Sequence, residues 1–420
     1  MVFIMWKKTL LLVGAWTVCA SAQAIILGEN DPDASFRVTI RSSNMAEFPV
    51  CGGTMVSERW VLTAAHCVVM GEGTDLASYF VTKPHQISVT ARTPDLNQSQ
   101  IENYFHVSHV VVHPSYTRLS EYKKGSDGQM TLVSTSLDSD VALLYLDRPV
   151  TGGALSSLPT MDEMRQIETR LNSQWDDEFA TNLRPKNVTA SGWGATVANA
   201  STPSPTLQKT QLTYLPITNC YQRLELGNDL PGIIEAPTNV SKICTMANEV
   251  LPWNPDERTQ YGNNVCKGDS GGPLLDDVTG KQIGIVSGIP LLTPTCAAVT
   301  LPSFYTRVST YYDWIVGYVN AENPPASPIL PPDFIRNYAA DNGGDVGSDT
   351  GSDAGSDAGS DAGSDAGSDS GEGNDNASGD CHGGISTNSC QFTGKAQGGG
   401  SVHYLWVLSL FAARIFRTKR

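Results

Sequence analysis

Apolar residues fall along this chain in distinct regimes. Near the start, an apolar stretch from Leu10 to Val18 follows Lys7 and Lys8. Across the middle they come in short runs, such as Val141-Ala142-Leu143-Leu144, set among Val, Thr, Tyr and Gly with frequent Pro. Short runs with such punctuation predict strands and turns, hence an all-β domain. From Gly347 to Gly371 the chain repeats a tetrapeptide, Gly-Ser-Asp-Ala with small variations, which holds nothing apolar to bury and is expected to be disordered. A final apolar stretch, Tyr404 to Phe416, is interrupted by Arg414 and is shorter than the roughly 20 residues that span a bilayer comfortably.

The two basic residues, the apolar stretch and the small-residue site Ala22-Gln23-Ala24 read as a signal peptide over residues 1–24, cut after Ala24. An exported chain meets an oxidising compartment. With Cys19 in the leader, eight cysteines remain, an even count that predicts bridges whose connectivity spacing alone does not give. The formal net charge is −15, yet residues 341–380 alone hold eleven acids and no Lys or Arg. The acidity therefore belongs mostly to a spacer, and it argues against a nucleic-acid partner.

Two segments carry chemistry. Gly268-Asp269-Ser270-Gly271-Gly272-Pro273 sets a serine among glycines, and Thr63-Ala64-Ala65-His66-Cys67 sets a histidine far upstream. A serine hydroxyl is a poor nucleophile at neutral pH, so an imidazole must take its proton during attack on a carbonyl carbon. His66 is the candidate base. The imidazolium that results needs an acceptor-only partner that also fixes its tautomer. Asp140, just before the apolar run at 141–144, reads as a carboxylate entering a buried strand, with Asp138 as its competitor. An oxyanion needs two preorganised donors, and Gly268 lets the N–H groups of Gly268 and Ser270 turn toward one point.

With Cys51-Gly52-Gly53-Thr54, Ser191-Gly192-Trp193-Gly194, and Phe304-Tyr305-Thr306-Arg307-Val308 leading to Tyr312-Asp313-Trp314-Ile315, these segments resemble the chymotrypsin/trypsin family of serine endopeptidases over residues 26–320. The resemblance implies an all-β fold of two six-stranded β-barrels with a C-terminal helix. His66 and Asp140 would come from the first barrel and Ser270 from the second, hydrolysing protein or peptide substrates through an acyl-enzyme. It also implies the pairs Cys51–Cys67, Cys220–Cys244 and Cys266–Cys296; Cys381 and Cys390, outside the domain, are expected to close a small loop together within a separate segment, 381–397. In the family a freed Ile α-amino group pairs with the aspartate before the serine, here Asp269, and the matching segment begins at Ile26. No Arg or Lys stands between the leader and Ile26, so leader removal, alone or with trimming of Ile25, is expected to create the active terminus directly. No cofactor or metal is expected: His85, His106, His109 and His113 lack a partner pattern, and no calcium loop is legible between Thr90 and Glu102.

Trypsin has an aspartate six residues before its nucleophile; here that position is Asn264, while Ile289 and Ser303 replace glycines of the pocket wall. An amide does not neutralise a buried cation, so the resemblance implies a neutral P1 residue rather than Arg or Lys. Enlarged loops are expected at Leu119–Ser136, Met164–Asn182 and Gln222–Asn239. Beyond residue 320, a Pro-rich and then acidic linker is expected over 321–380, disordered as a tether. Residues 398–420, with Gly398-Gly399-Gly400-Ser401 ahead of the apolar stretch and Arg417, Lys419 and Arg420 behind it, resemble the Gly-Gly sorting tails of Gram-negative bacteria. That resemblance implies type II secretion as the export machinery, a rhomboid-type C-terminal processing protease, and membrane attachment at the cell surface. The rival functional class is a protease-fold binding protein that has lost catalysis.

Overall fold

The computed structural model describes residues 25–41, 49–71, 73–118, 120–124, 130–135, 137–197, 203–226, 232–251, 260–289 and 296–342. The leader, the Gly-Ser-Asp-Ala repeat, Cys381, Cys390 and the terminal apolar stretch lie outside them. Among the described residues no helix is long and apolar enough to cross a membrane.

Six strands form the first barrel: β1 (Arg37–Arg41), β2 (Cys51–Met55), β3 (Trp60–Thr63), β4 (Ser88–Ala91), β5 (Tyr104–Val112) and β6 (Ala142–Leu146). They pair antiparallel in the order β6-β3-β2-β1-β4-β5, and the ring closes where Ala142 of β6 meets Val112 of β5. Short Val- and Leu-rich runs suit this arrangement because branched side chains pack well on a pleated surface. Val38, Leu62, Val89, Val110 and Leu143 fill the interior. The second barrel repeats the plan with β7 (Val188–Gly192), β8 (Gln208–Leu215), β9 (Lys242–Met246), β10 (Pro273–Asp276), β11 (Gln282–Gly288) and β12 (Ser303–Arg307). Its order is β8-β7-β10-β11-β12-β9, closed by Leu215 against Cys244. Closure leaves neither sheet with a long open edge.

Two segments depart from the expectations. The stretch Met164–Asn182, expected as an enlarged loop, opens inside a helix, α1 (Met161–Asn172), with Thr160 and Glu163 forming a reciprocal capping box at its start. Met164, Ile167 and Leu171 recur at helical spacing and bury one face in the second core. A short helix, α2 (Ile217–Tyr221), follows β8, and the second departure comes after the C-terminal helix α3 (Tyr312–Val319), where a spacer was expected from residue 321. Instead Ile329–Leu330 (β13) pairs parallel with β5, and α4 (Asp333–Asp341) packs on the first barrel with Ile335 buried. Here Pro328 and Pro331 flank β13 and Pro332 caps the start of α4.

A polar seam joins the barrels. The hydroxyls of Thr54 on β2 and Ser156 both donate to Gln282 Oε1 on β11, at 2.8 and 2.6 Å, and Gln282 is fully buried. Arg37 Nε on β1 donates to Ser191 Oγ on β7 at 2.6 Å. Buried hydroxyls stripped of their acceptor retain their desolvation cost. Gln282→Ala is therefore expected to lower the unfolding free energy by about 2–3 kcal/mol, measured by urea titration with disulfides intact; an unchanged midpoint contradicts the role of the seam.

Candidate active site

His66 sits in a single helical turn, Ala65–Cys67, directly after β3, and Asp140 lies two residues before β6. Because Ala142 pairs with Thr63 across β3 and β6, both residues emerge at the same end of the barrel. Ser139, at φ 50°, turns the chain into Asp140 through a backbone region that side chains rarely adopt. The Asp140 carboxylate is buried and receives three donors: His66 N at 2.9 Å on Oδ1, and His66 Nδ1 at 2.7 Å and Ser287 Oγ at 2.6 Å on Oδ2. Its carbonyl also accepts from Thr306 Oγ1 at 2.8 Å. Burial by itself raises the carboxyl pKa; the facing His66 and the hydrogen bonds from His66 and Ser287 outweigh burial and hold it below the usual carboxylate value. With Nδ1 committed to Asp140, His66 Nε2 is buried and, among the described residues, has no hydrogen-bond partner. Asp138 points elsewhere, to Lys242 Nζ at 3.3 Å.

Ser270 occupies a turn held from both barrels. Its carbonyl accepts from Gly52 N of β2 at 2.7 Å, while Gly271 N and Gly272 O pair with Val286 O and N of β11. Gly271, at φ 80°, fits against Thr63 and Gly52 so closely that an added Cβ comes within 2.2 Å of Thr63 Oγ1. The serine turn thus abuts the residues leading to His66, and only glycine allows it. Gly268, at φ 94°, packs against Gly194, where an added Cβ approaches Gly194 Cα to 2.9 Å.

Asp269 turns away from Ser270 into the second barrel, where its oxygens accept from Gly194 N and Cys266 N, each at 2.8 Å. Gly192 and Gly194 clear space for it: a Cβ at either comes within 2.6 Å of its Oδ1. The carboxyl is fully buried. Desolvation pushes its pKa up to about 7, against the two backbone donors that lower it. The expected partner, Ile26, is held otherwise: Ile26 and Asn264 exchange both backbone hydrogen bonds, at 3.1 and 3.2 Å, and the Ile26 side chain lies in the apolar cluster. An α-amino group freed at Ile26 would have to leave that bridge to reach Asp269, whereas Ile25, wholly buried at φ 61°, stands one residue outside it.

The expected pocket residues come together only in part. Ser303 Oγ donates to Asn264 Oδ1 at 2.8 Å, and both residues are buried. Ile289 packs in the apolar cluster with Val265, Cys266 and Cys296. Cys51–Cys67, Cys220–Cys244 and Cys266–Cys296 are bonded, the first beside His66. Among the described residues, the one grouping of donor side chains close enough for a metal is Cys51, His66 and Cys67, whose sulfurs are joined to each other. Sequence reasoning missed Ser287 and Thr306, which reach Asp140 from 147 and 166 residues away. No local pattern marks either.

Comparison with known proteins agrees with this geometry. The chain is 29% identical over 277 residues to phenoloxidase-activating factor 3 of Holotrichia diomphalia, a match covering 63% of this chain and 62% of that protein. It is 30% identical over 270 residues to serine protease snk of Drosophila melanogaster, covering 63% of this chain and 48% of the relative. The chain thus spans less than two thirds of either relative. The profile of the trypsin family matches residues 25–315, and with two closed barrels meeting where those motifs lie, the chain belongs to the trypsin family.

Proposed function

We propose that the protein is a serine endopeptidase in which Ser270 is the nucleophile, His66 the general base and Asp140 the group that orients and stabilises the imidazolium. The observation that carries this reading is the buried 2.7 Å contact of Asp140 with His66 Nδ1, which leaves Nε2 as the nitrogen free to take a proton. Nε2 accepts the Ser270 proton as Oγ bonds to the substrate carbonyl carbon. The carbonyl electrons move onto oxygen, where Gly268 N–H and Ser270 N–H receive the charge; one such donor typically contributes roughly 3 kcal/mol. Nε2–H then protonates the leaving amine as the C–N bond breaks. A water molecule attacks the acyl-enzyme with the same base, releasing the acid and restoring Ser270.

The P1 preference follows from Asn264. Val265 N–H can only donate, and it meets the Asn264 oxygen at 2.9 Å, which fixes the amide's orientation. Ser303 Oγ occupies the same oxygen. An amide carries no charge, so a buried Lys or Arg side chain gains no neutralising partner from Asn264. In peptides varied only at P1, uncharged residues are expected to be cleaved at least about 100-fold faster than Lys or Arg; faster turnover after a basic residue overturns the assignment. Acylation by a phosphonyl fluoride, lost in Ser270→Ala, is the expected signature of the chemistry. Failure of the mature chain to acylate favours the binding-protein alternative.

Cleavage after Ala24 presents Ile25 directly as the new terminus, the residue at which the trypsin profile also begins. The freed ammonium supplies the cation that buried Asp269 lacks. A chain with one extra residue ahead of Ile25 keeps a carboxyl whose folded pKa, about 7, exceeds its usual 3.8. That carboxyl stabilises the fold fully below about pH 4, and the contribution is lost as pH rises through 7. Such a chain is expected to lose up to about 4 kcal/mol between pH 4 and pH 8 through this group. Urea unfolding of it, of its Asp269→Asn variant and of the chain starting at Ile25 isolates the effect; equal pH profiles in all three refute it.

Export through the leader accords with the bonded cysteines, and residues 398–420 are the proposed sorting or membrane segment, outside the described residues. Terminal mapping of the protein recovered from medium and from membranes tests both: a retained leader contradicts the first, and an intact C-terminus on freely soluble enzyme contradicts the second.

A further inference from the structure

The segment after α3 does more than leave the domain. Val110 N donates to Pro328 O at 2.9 Å, and Ile329 and Leu330 then run parallel to Val110 and Val111 of β5. This is the strand whose Val112 pairs with Ala142, two residues past Asp140. Pro331 and Pro332 are buried at the turn into α4, and Asp333 N donates to Pro114 O at 2.8 Å. On α4, Phe334, Ile335, Tyr338 and Ala339 share the inward face, whereas Arg336 and Asn337 are exposed. That spacing is the apolar stripe of a surface helix.

Two paths lead from this helix to the catalytic pair. Along the first, Pro114 belongs to a turn stitched to both flanks of Asp140: His113 N donates to Val141 O at 3.1 Å, and Thr117 N to Asp138 O at 3.2 Å. Along the second, the Phe334 ring packs edge-on against Tyr79 at 5.3 Å and lies 6.4 Å from Tyr116. Tyr79 precedes the short strand Phe80–Val81, which pairs with Val69–Met70, just past the His66 turn. Arg118 stacks over Tyr79 and donates to Val69 O at 2.9 Å, closing the loop between the two paths. Tyr116 is wholly buried; desolvation, with the Asp140 charge adding to it, pushes its phenol pKa well up. The segment 321–342 contains no cysteine, so packing and hydrogen bonds alone hold it.

We propose that residues 321–341 form a strap that positions the His66–Asp140 pair, with Phe334 as the positioning residue that wedges Tyr79 and Tyr116 together. The strap does not touch substrate. It fixes the two backbone segments from which His66 and Asp140 project, so its loss lowers turnover rather than substrate affinity. Small misplacements of a catalytic group, of the order of 1 Å, cost as much as about 100-fold in rate.

The proposal rests on the hydrolase reading above, and the experiment separates the two. The chain beginning at Ile25 is compared with a chain stopped after Asn342, a chain stopped after Asn320, and Phe334→Ala and Phe334→Leu in the full-length protein. Each is assayed well below its Tm on one peptide substrate and with a phosphonyl fluoride. Stopping after Asn342 is expected to leave kcat and KM within about twofold. Phe334→Ala and the stop after Asn320 are expected to lower kcat and the rate of acylation at least about 10-fold while KM stays within about threefold, and Phe334→Leu to recover part of the loss, with kcat about threefold below the parent. Should the shortened or Ala chains fail to fold, the kcat of Phe334→Leu, below that of the parent at unchanged KM, carries the test. A parent chain inert to the phosphonyl fluoride sinks the hydrolase reading. An active parent whose Phe334 variants lose Tm but keep kcat sinks the strap alone.

Discussion

One buried carboxylate organises this molecule. Asp140 has no access to water, and a bare charge in that position is strongly destabilising unless donors surround it. The first barrel supplies two of them through His66, and the second supplies Ser287 on the carboxylate and Thr306 on the carbonyl. Neither barrel alone satisfies the group. The pair lies at the seam between the barrels: the residue that holds the imidazole is also where the two halves of the fold become mutually necessary.

Asp269 is the counterpart in the second barrel, with a different balance. Two backbone N–H groups and a space cleared by Gly192 and Gly194 admit the carboxylate, but among the described residues no cation stands with them. Its raised pKa expresses that deficit. In the proposed processing, a charge introduced at Ile25 by a single peptide-bond cleavage answers it, which would couple the electrostatics of the serine turn to the other end of the domain.

The strap extends the same logic outward. The first barrel carries His66 and Asp140 on loops, and a loop holds a catalytic side chain only as firmly as the layer behind it. Here that layer includes the turn 113–117, Tyr79 and α4, so the unit that shapes the candidate site runs from Ile25 to Asn342. A Pro-rich composition suggested a spacer; the apolar residues among the prolines, Ile329, Leu330, Phe334 and Ile335, found a surface already prepared for them.

What the sequence alone determined is whatever a short window of residues encodes. The glycines around Ser270, the histidine turn after a buried strand, the all-β punctuation and the family membership were legible because backbone conformation and local chemistry act over a few residues. Tertiary structure decided the remainder. It turned Asp138 toward Lys242 and Asp140 toward His66, two acids that local pattern barely distinguishes. It supplied Ser287 and Thr306 from the other barrel, paired the backbone of Ile26 with Asn264, oriented the Asn264 amide through Val265, and folded residues 321–342 back onto β5. Each of these depends on which distant surface a residue meets. That is set by barrel closure and strand register, and no local pattern of residue types contains it.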